Sequence, residues 1–302
     1  NAGFCDMQLT INADISAAAL NALGRHNGTV GLYDYKTGEL LCMVSAPTFD
    51  VNNADKIFEA GGKDTEGIFI NRFLGATYAP GSTFKMITAL AGLETETIGP
   101  DTLITDKGIF KDTGIPYARC WIYSNTGGTH QSINVAHALE VSCNYFFYDL
   151  GSKISLKAMD STAKGFGLGE KTGVELPEYV GHRANAETKA ELYTGDRAQW
   201  YTGDQVLAAI GQSDNLFTPL QLCSYISTLA NGGTRYQPHL LRQVKDYTGS
   251  QVLQDGTPTV LDQLEISGST LQAVYSGMLG VTTEDGTASS VFANYPIQVA
   301  GK

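Results

Sequence analysis

The fold and its chemistry centre on the stretch Tyr78-Ala79-Pro80-Gly81-Ser82-Thr83-Phe84-Lys85, which leads into a predicted helix extending to about Glu94. Lys85 is the third residue after Ser82, so a helix places the hydroxyl and the amine on one face, about one turn apart. A lysine whose pKa is lowered by burial can remove the proton from a serine hydroxyl without a histidine. Free N–H groups at the start of the helix would stabilise an oxyanion. The stretch therefore predicts a serine nucleophile with a lysine base.

The Ser-x-x-Lys spacing also occurs often by chance. In that alternative, Ser82 only caps a helix and Lys85 is a solvated side chain. A second polar pair, Ser142 and Asn144, follows further along the chain in Val141-Ser142-Cys143-Asn144. The pair could project a hydroxyl and an amide into the same cleft, or bond to backbone near a helix end. The context of both pairs has to decide between these interpretations.

The remaining sequence predicts an α+β domain. A hairpin is predicted over Thr29–Ser45, and two strands near Leu241–Asp246 and Gln251–Gln254. Apolar periodicity and capping residues predict helices at Thr10–His26, Asn134–Leu150, Leu156–Phe166, Thr218–Asn231 and Ser269–Leu279. The apolar end of the sequence, Pro296–Lys302, is predicted to be a strand. Strands near both ends with helices between them favour a sheet that joins the termini.

Composition and charge exclude several classes of protein. The 302 residues are 42% hydrophobic and 17% charged, which is sufficient for one large domain or two small ones. The net charge of −11, with no run of Lys or Arg, argues against nucleic-acid binding. No segment has the pattern of a membrane span or a signal peptide. The five cysteines are scattered and have no disulfide pairing pattern. No metal-ligand spacing involves them or the histidines at 130, 137 and 239, which argues against a metal site.

The sequence resembles the penicilloyl-serine transferases in the order and the intervals of three motifs. These are Ser82-x-x-Lys85, Ser142-x-Asn144 and a strand-borne Lys302. This family contains the penicillin-binding proteins and the serine β-lactamases. Its third motif is Lys-Thr-Gly or Lys-Ser-Gly on an edge strand, of which this sequence has only Lys302. Further segments are similar to class B penicillin-binding proteins: Asn71-Arg72, Cys120-Trp121 with His130, Ile210-Gly211-Gln212, 216–221 and 230–233.

Two other motif matches are rejected because their positions are wrong. Lys171-Thr172-Gly173 spells the third motif, but it follows Ser142 too closely and lies in a predicted surface loop. Ser213-Asp214-Asn215 spells a β-lactamase second motif, but its separation from Ser82 is more than double that between Ser82 and Ser142.

The resemblance implies the fold of a serine β-lactamase or transpeptidase, an antiparallel sheet covered by helices with a mostly helical subdomain. Residues 1–302 would form the transpeptidase domain, without the upstream anchor and pedestal and without the strand after Lys302. The resemblance also implies an extracytoplasmic location at the bacterial cell membrane, anchored by an N-terminal segment. Implied partners are a peptidoglycan stem peptide ending in D-Ala-D-Ala, β-lactam antibiotics and a glycan-polymerising protein.

The implied activity is a D,D-transpeptidase that needs no metal or cofactor. Ser82 would attack the penultimate D-Ala, and an amine of a neighbouring stem would take the acyl group. Lys85 would act as the base, Ser142 would relay a proton, and Asn144 would hold the donor peptide and orient Lys85. Lys302 would face the substrate carboxylate, and β-lactams would acylate Ser82. A chain ending at Lys302 would lack one oxyanion donor and is expected to be impaired or inactive.

Two alternatives remain open on the sequence. One is hydrolysis by a D,D-carboxypeptidase or a β-lactamase. Class A β-lactamases use a Glu-x-x-x-Asn arrangement, whereas Glu178, the nearest candidate, is followed at the corresponding position by His182. The other alternative is a non-catalytic module, either a β-lactam sensor that stays acylated or a degenerate scaffold. A sensor would carry several membrane spans and a signalling domain upstream.

Overall fold

The computed structural model describes residues 5–53, 67–111, 118–283, 285–292 and 294–302. The chain divides into two compact units. Unit 1 comprises Asn1–Tyr78, Phe166–Gly181 and Phe217–Leu264. Unit 2 comprises Ala79–Gly165, His182–Leu216 and Glu265–Lys302. Within the described residues, no helix is both long and apolar enough to cross a membrane.

The helices and strands of the described residues are numbered along the chain. The helices are α1 (Ala13–Leu23), α2 (Arg72–Gly75), α3 (Lys85–Glu94), α4 (Trp121–Thr126), α5 (Val135–Glu140), α6 (Asn144–Lys153), α7 (Leu156–Gly165), α8 (Ala186–Leu192), α9 (Thr202–Ala208), α10 (Pro219–Ala230), α11 (Gly268–Gly280) and α12 (Ser289–Phe292). The strands are β1 (Cys5–Leu9), β2 (Gly28–Tyr33), β3 (Leu40–Ala46), β4 (Ile104–Thr105), β5 (Ser132–Ile133), β6 (Thr234–Tyr236), β7 (Leu241–Asp246), β8 (Val252–Asp255) and β9 (Val260–Gln263).

Unit 1 is built from antiparallel strands covered by helices. Its sheets are the three strands β1-β7-β8, the hairpin β2-β3 and the pair β6-β9. Helix α10 packs against β2 and β6, and α1 packs against β3. A reciprocal capping box between Thr218 and Gln221 starts α10, with Pro219 in its first turn. The buried core between these elements contains Leu40, Phe73, Leu74, Val174, Leu220 and Leu240.

Unit 2 consists mainly of helices around α3. Every residue of α3 from Lys85 to Leu93 is buried, and α3 packs against α5, α6, α7 and α11. The short strands β4 and β5 pair in an antiparallel manner beside these helices. The predicted α+β fold, with antiparallel strands and a mostly helical part, is therefore confirmed.

The predicted strand at Pro296–Lys302 is wrong. Residues 298–302 belong to no helix or sheet in the described residues, because the Gly301 N–H donates to the Met278 carbonyl of α11 instead of to a strand. These residues lie in unit 2. The sheet of unit 1 consequently joins the N-terminal strand β1 to β7, and does not join the two ends of the chain.

The predicted helix over Asn134–Leu150 is in fact two helices, α5 and α6, separated at Val141–Cys143. Ser142 ends the first helix because it adopts a left-handed conformation with φ of +52°. Cys143 starts the second helix, since its Sγ accepts the Phe146 N–H. Side-chain periodicity is similar in both helices and could not reveal this break.

Candidate active site

The residues that line one cavity of unit 2 come from distant parts of its sequence. The cavity has a volume of about 560 Å³ and is lined by Ser82, Trp121, Ser142, Asn144, Thr287 and Lys302. Lys85 lies beneath this surface and bonds to two of the lining residues. All five predicted site residues are thus brought together. Trp121 and Thr287 were not predicted as site residues; the Cys120-Trp121 pair is the sequence signal that could have found the first.

Ser82 is exposed on the 3₁₀ turn Gly81–Phe84, which continues directly into α3. Gly81 adopts φ of +54°, a left-handed conformation that favours glycine. This geometry turns the chain sharply before the helix and leaves the Ser82 hydroxyl at the cavity surface. The Ser82 backbone N–H lies in the first turn, where N–H groups have no partner within the helix.

The Ser142 hydroxyl joins Ser82 to Lys85. Ser142 Oγ lies 3.2 Å from Ser82 Oγ, and Lys85 Nζ lies 3.1 Å from Ser142 Oγ. Lys85 Nζ also donates to the Ser142 carbonyl at 2.9 Å and to Asn144 Oδ1 at 2.6 Å. No hydrogen bond connects Lys85 directly with Ser82 in the described part of the chain. A proton leaving Ser82 would therefore reach Lys85 through Ser142.

The Lys85 side chain is fully buried, so the alternative of a solvated lysine is wrong. Burial lowers the pKa of Lys85 to about 7, and the nearby positive charge of Lys302 contributes to this lowering. At neutral pH a large fraction of Lys85 is uncharged, which is the form that can accept a proton.

Lys302 is held in the cavity wall by hydrogen bonds to the backbone of unit 2. Its Nζ donates at 2.8 Å to the Leu139 carbonyl in the last turn of α5. Burial lowers the pKa of Lys302 to about 8. Gly301, the residue before Lys302, is held against α11 because its N–H donates to the Met278 carbonyl at 2.9 Å. Below about pH 8 the Lys302 side chain therefore presents a positive charge to the cavity.

Trp121 supports the break that carries Ser142. Its indole Nε1 donates to the Val141 carbonyl at 3.0 Å, one residue before Ser142. Trp121 is 38% exposed, and its ring centroid lies 5.5 Å from that of the His130 ring. This contact fixes one wall of the cavity and the residue that precedes the relay hydroxyl.

Four potential metal ligands converge behind Ser142 and Asn144. The donor atoms of Asp106, Cys120, His130 and Cys143 lie within 4.8 Å of one another. The sequence argued against such a site because these positions are widely separated along the chain and form no short motif. Folding nevertheless brings them together, with Cys143 lying between the two residues of the second motif.

Three of the four donor separations that follow match a tetrahedral Zn²⁺ site, and the His130–Asp106 pair is closer, at hydrogen-bonding distance. The distances are 3.0 Å from His130 Nδ1 to Asp106 Oδ2, 3.4 Å from Cys120 Sγ to His130 Nδ1, 3.7 Å from Cys143 Sγ to Asp106 Oδ2 and 3.8 Å between the two Sγ atoms. Zinc bonds of about 2.0–2.3 Å imply ligand separations of about 3.3–3.8 Å. A closed site with four protein ligands would supply structural cross-linking and no open position for chemistry.

The two rejected motif matches have other roles. In unit 1, the Thr172 N–H and Oγ1 and the Gly173 N–H donate to the Glu178 carboxylate at 2.8–3.0 Å. This Lys-Thr-Gly segment is a loop and not a strand. The same bonds occupy Glu178, the residue considered as a water-activating base. In unit 2, Asn215 is buried and bonds to backbone.

Lys85 is buried, Ser142 links it to Ser82, and Ser82 is exposed at the start of a helix. This arrangement defines a class of proteins in which lysine activates a serine nucleophile for acyl transfer. The chain belongs to the penicillin-binding protein transpeptidase domain family, whose model matches residues 28–302.

Individual relatives have similar sequences and folds. The peptidoglycan D,D-transpeptidase MrdA of Acinetobacter baumannii is 32% identical over 248 residues, which is 78% of this chain and 35% of that protein. Pseudomonas aeruginosa PBP2, solved in complex with WCK 5153, has 27% identity and a TM-score of 0.84 over 99% of this chain and 67% of its own. Helicobacter pylori PBP2, solved in complex with MreC, has 28% identity and a TM-score of 0.79 over 97% of this chain and 52% of its own. The chain spans about half or less of the length of its curated relatives.

Proposed function

We propose that the protein is a D,D-transpeptidase that cross-links peptidoglycan stem peptides through an acyl-enzyme on Ser82. The observation that carries this proposal is the chain of hydrogen bonds from Ser82 through Ser142 to a fully buried Lys85. A hydroxyl is a poor nucleophile until a base removes its proton. Lys85, with a pKa of about 7, is suited to that task at neutral pH.

In acylation, the neutral Lys85 accepts a proton from Ser142 while Ser142 accepts one from Ser82. The Ser82 Oγ forms a bond to the carbonyl carbon of the penultimate D-Ala, and the carbonyl oxygen becomes an oxyanion. The Ser82 N–H at the start of the helical turn can donate to that oxyanion. The intermediate collapses when the carbon–nitrogen bond breaks. The proton then returns from Lys85 through Ser142 to the leaving amine of D-Ala.

In transfer, the amine of a neighbouring stem attacks the acyl carbonyl and forms a new amide bond. The bond to Ser82 Oγ breaks, and the proton lost by the amine returns to Ser82 along the same relay. In a β-lactam, the broken carbon–nitrogen bond belongs to a ring, so the leaving nitrogen stays attached to the acyl group. Ser82 would consequently remain acylated by such compounds.

Lys302 and Asn144 would bind the donor peptide. Lys302 carries its charge into the cavity wall and would pair with the terminal carboxylate of the D-Ala-D-Ala peptide. Asn144 Oδ1 accepts from Lys85, which leaves the Asn144 amide NH₂ group to donate to a peptide carbonyl. Asn144 thus both orients the base and contacts the substrate.

Transfer is preferred to hydrolysis or a non-catalytic role on two grounds. The Glu178 carboxylate is bonded within its own loop, and the relatives are named peptidoglycan D,D-transpeptidases.

We also infer an extracytoplasmic site of action, where peptidoglycan is assembled, with membrane anchoring outside this chain. A glycan-polymerising protein would supply strands, and a MreC-like protein is a candidate partner because a relative was solved with MreC.

The first test is the intact mass of the full-length protein after incubation with a penicillin. We expect wild type to gain one penicilloyl group and Ser82→Ala to gain none. Ser152→Ala, which changes an exposed serine of α6, is the matched control and should be labelled like wild type. A folded full-length wild-type protein that gains no mass would contradict the proposed nucleophile.

A second test separates transfer from hydrolysis. The protein is incubated with a peptide ending in D-Ala-D-Ala, with and without an amine acceptor. A new amide product that requires both the acceptor and Ser82 supports transpeptidation. Exclusive formation of the shortened acid, at a rate independent of acceptor, would favour a carboxypeptidase.

A further inference from the structure

A turn after α9 lies directly against the residue that precedes Ser82. The Gly81 N–H donates to the Gly211 carbonyl at 2.9 Å. Gly211 adopts φ of +74°, and a Cβ atom at this position would lie 2.1 Å from the Gly81 carbonyl oxygen. It would also lie 2.8 Å from the Gly81 carbonyl carbon and nitrogen. The contact therefore leaves no space for any side chain at position 211.

The nucleophile's helix is attached to the same turn at a second point. Thr88 Oγ1, in the N-terminal half of α3, donates to the Ala209 carbonyl at 2.7 Å, and both residues are buried. The turn thus holds the start of the nucleophile region through Gly81 and its helix through Thr88.

Asn215 braces the turn from behind, and the residue is only 1% exposed. The Asn215 amide donates to the carbonyls of Ala208 and Gln212 at 3.2 Å each, and its Oδ1 accepts the Ala184 N–H at 3.0 Å. These bonds span the turn from one side to the other. Asn215 belongs to the Ser213-Asp214-Asn215 segment that the catalytic motifs leave unexplained.

The position of Gly81 determines the direction of the Ser82 N–H. The Gly81 carbonyl and the Ser82 N–H belong to one planar trans peptide unit, so they point in opposite directions. Packing against the Gly81 oxygen fixes the plane of this unit. A displacement of that oxygen would rotate the Ser82 N–H away from its present direction.

We propose that Gly211 and Asn215 are positioning residues that set the oxyanion-donating N–H of Ser82. This inference rests on the proposed function, because it assumes an oxyanion next to Ser82. Neither residue lines the cavity. Their effect passes through the Gly81–Ser82 peptide unit, and the Lys85 relay is left intact.

The expected effect of Gly211→Ala is a slower acylation step. The added methyl group must displace the Gly81 oxygen, so the Ser82 N–H no longer points at the oxyanion. Loss of one oxyanion donor costs about 10²–10³ in rate, and we expect a fall of this order in the acylation rate constant. The dissociation constant of the non-covalent penicillin complex should change by less than about threefold. The pH at which acylation rises should stay that of wild type.

The experiment is rapid-mixing acylation by a penicillin, which separates the rate constant from the dissociation constant at several pH values. Gly127→Ala is the matched control because Gly127 also has φ of +74° but nothing within 4 Å of an added Cβ. It imposes the same backbone strain without the clash and should acylate like wild type. Asn215→Ala provides an independent variant if Gly211→Ala does not fold, and we expect the same selective loss in rate.

The outcomes separate this inference from the proposed function. If the folded full-length wild-type protein is not acylated, the proposed function fails and the inference falls with it. If wild type is acylated and the folded Gly211→Ala or Asn215→Ala variant keeps its acylation rate constant, only the inference is overturned. A loss confined to the dissociation constant, or a shifted pH profile, would also overturn it.

Discussion

Lys85 carries an amine into the interior of unit 2, where its charged form is disfavoured. Burial and the charge of Lys302 together lower its pKa to about 7. We predict that the acylation rate by a penicillin rises with pH through about 7, since the base must be unprotonated. The rate should fall above about 8 as Lys302 loses the charge that binds the carboxylate. Rate measurements between about pH 5.5 and 9.5 test this bell-shaped profile.

Lys302→Gln is the diagnostic variant for that profile. Removing a neighbouring positive charge favours the protonated form of Lys85, so the rising limb should move to higher pH. The falling limb should disappear, and binding of the carboxylate should weaken at every pH. A rising limb that stays where it is in wild type would contradict the electrostatic coupling between the two lysines.

Ser142 combines backbone strain with a chemical role. Its left-handed φ of +52° costs about 1–2 kcal/mol for a residue with a Cβ atom. We predict that Ser142→Gly and Ser142→Ala both lose about 10²–10⁴ in acylation rate because the relay hydroxyl is gone. Ser142→Gly should nevertheless be more stable than Ser142→Ala by about 1 kcal/mol. Chemical denaturation and acylation kinetics on both variants measure the two effects. Equal stability of the two variants would argue against strain at this position.

At the scale of single elements, periodicity and capping residues predicted most of the fold. The β2-β3 hairpin, β7 with β8, and helix α10 with its Thr218 cap follow from local patterns. The break between α5 and α6 could not be predicted, because serine rarely adopts the left-handed conformation that Ser142 has here. Residues 296–302 were mistaken for a strand because an apolar segment does not reveal its partner.

The cluster of Asp106, Cys120, His130 and Cys143 also could not be predicted from local sequence patterns. Its four donors come from the segment after β4, the residue before α4, the segment before β5 and the start of α6. Each position is unremarkable by itself, and the donor set exists only after these elements pack. Sequence spacing therefore could not reveal a donor set that the packing brings together.

We predict that Zn²⁺ stabilises the protein through this cluster. Metal bound to the folded state raises the free energy of unfolding, by about 2.7 kcal/mol at one hundred times the dissociation constant. Thermal unfolding with and without Zn²⁺ should show a higher Tm that a chelator reverses. Cys143→Ser should abolish the shift, whereas Cys5→Ser, which changes an exposed cysteine outside the cluster, should retain it. No response of wild type to Zn²⁺ would exclude a zinc role for these donors.

At the scale of the whole molecule, the candidate site belongs entirely to unit 2, although its residues span most of the sequence. The resemblance to a family identified Ser82, Lys85, Ser142, Asn144 and Lys302 by order and spacing. It included the segments that contain Trp121 and Gly211 but gave these residues no role, and it did not point to Thr287, which lines the cavity. The roles of Trp121 and Gly211 depend on contacts with Val141 and Gly81, which are distant in the sequence and which a motif does not record.

Two phenylalanine substitutions test whether the chemistry resides in unit 2 alone. Phe73 lies in the core of unit 1, and Phe147 lies in unit 2 with its ring centroid 5.7 Å from Lys85 Nζ. Both are at most 1% exposed, so each change to alanine should lower the free energy of unfolding by about 3–5 kcal/mol.

The two variants should differ in the pH dependence of acylation. Phe147→Ala opens space beside Lys85 and reduces the burial that is the main cause of its lowered pKa. Its rising limb should therefore move to higher pH. Phe73→Ala should keep the limb at about 7 at temperatures where both variants remain folded. A shifted limb in Phe73→Ala would show that unit 1 influences the base, and an unshifted limb in Phe147→Ala would contradict desolvation as the cause of its low pKa.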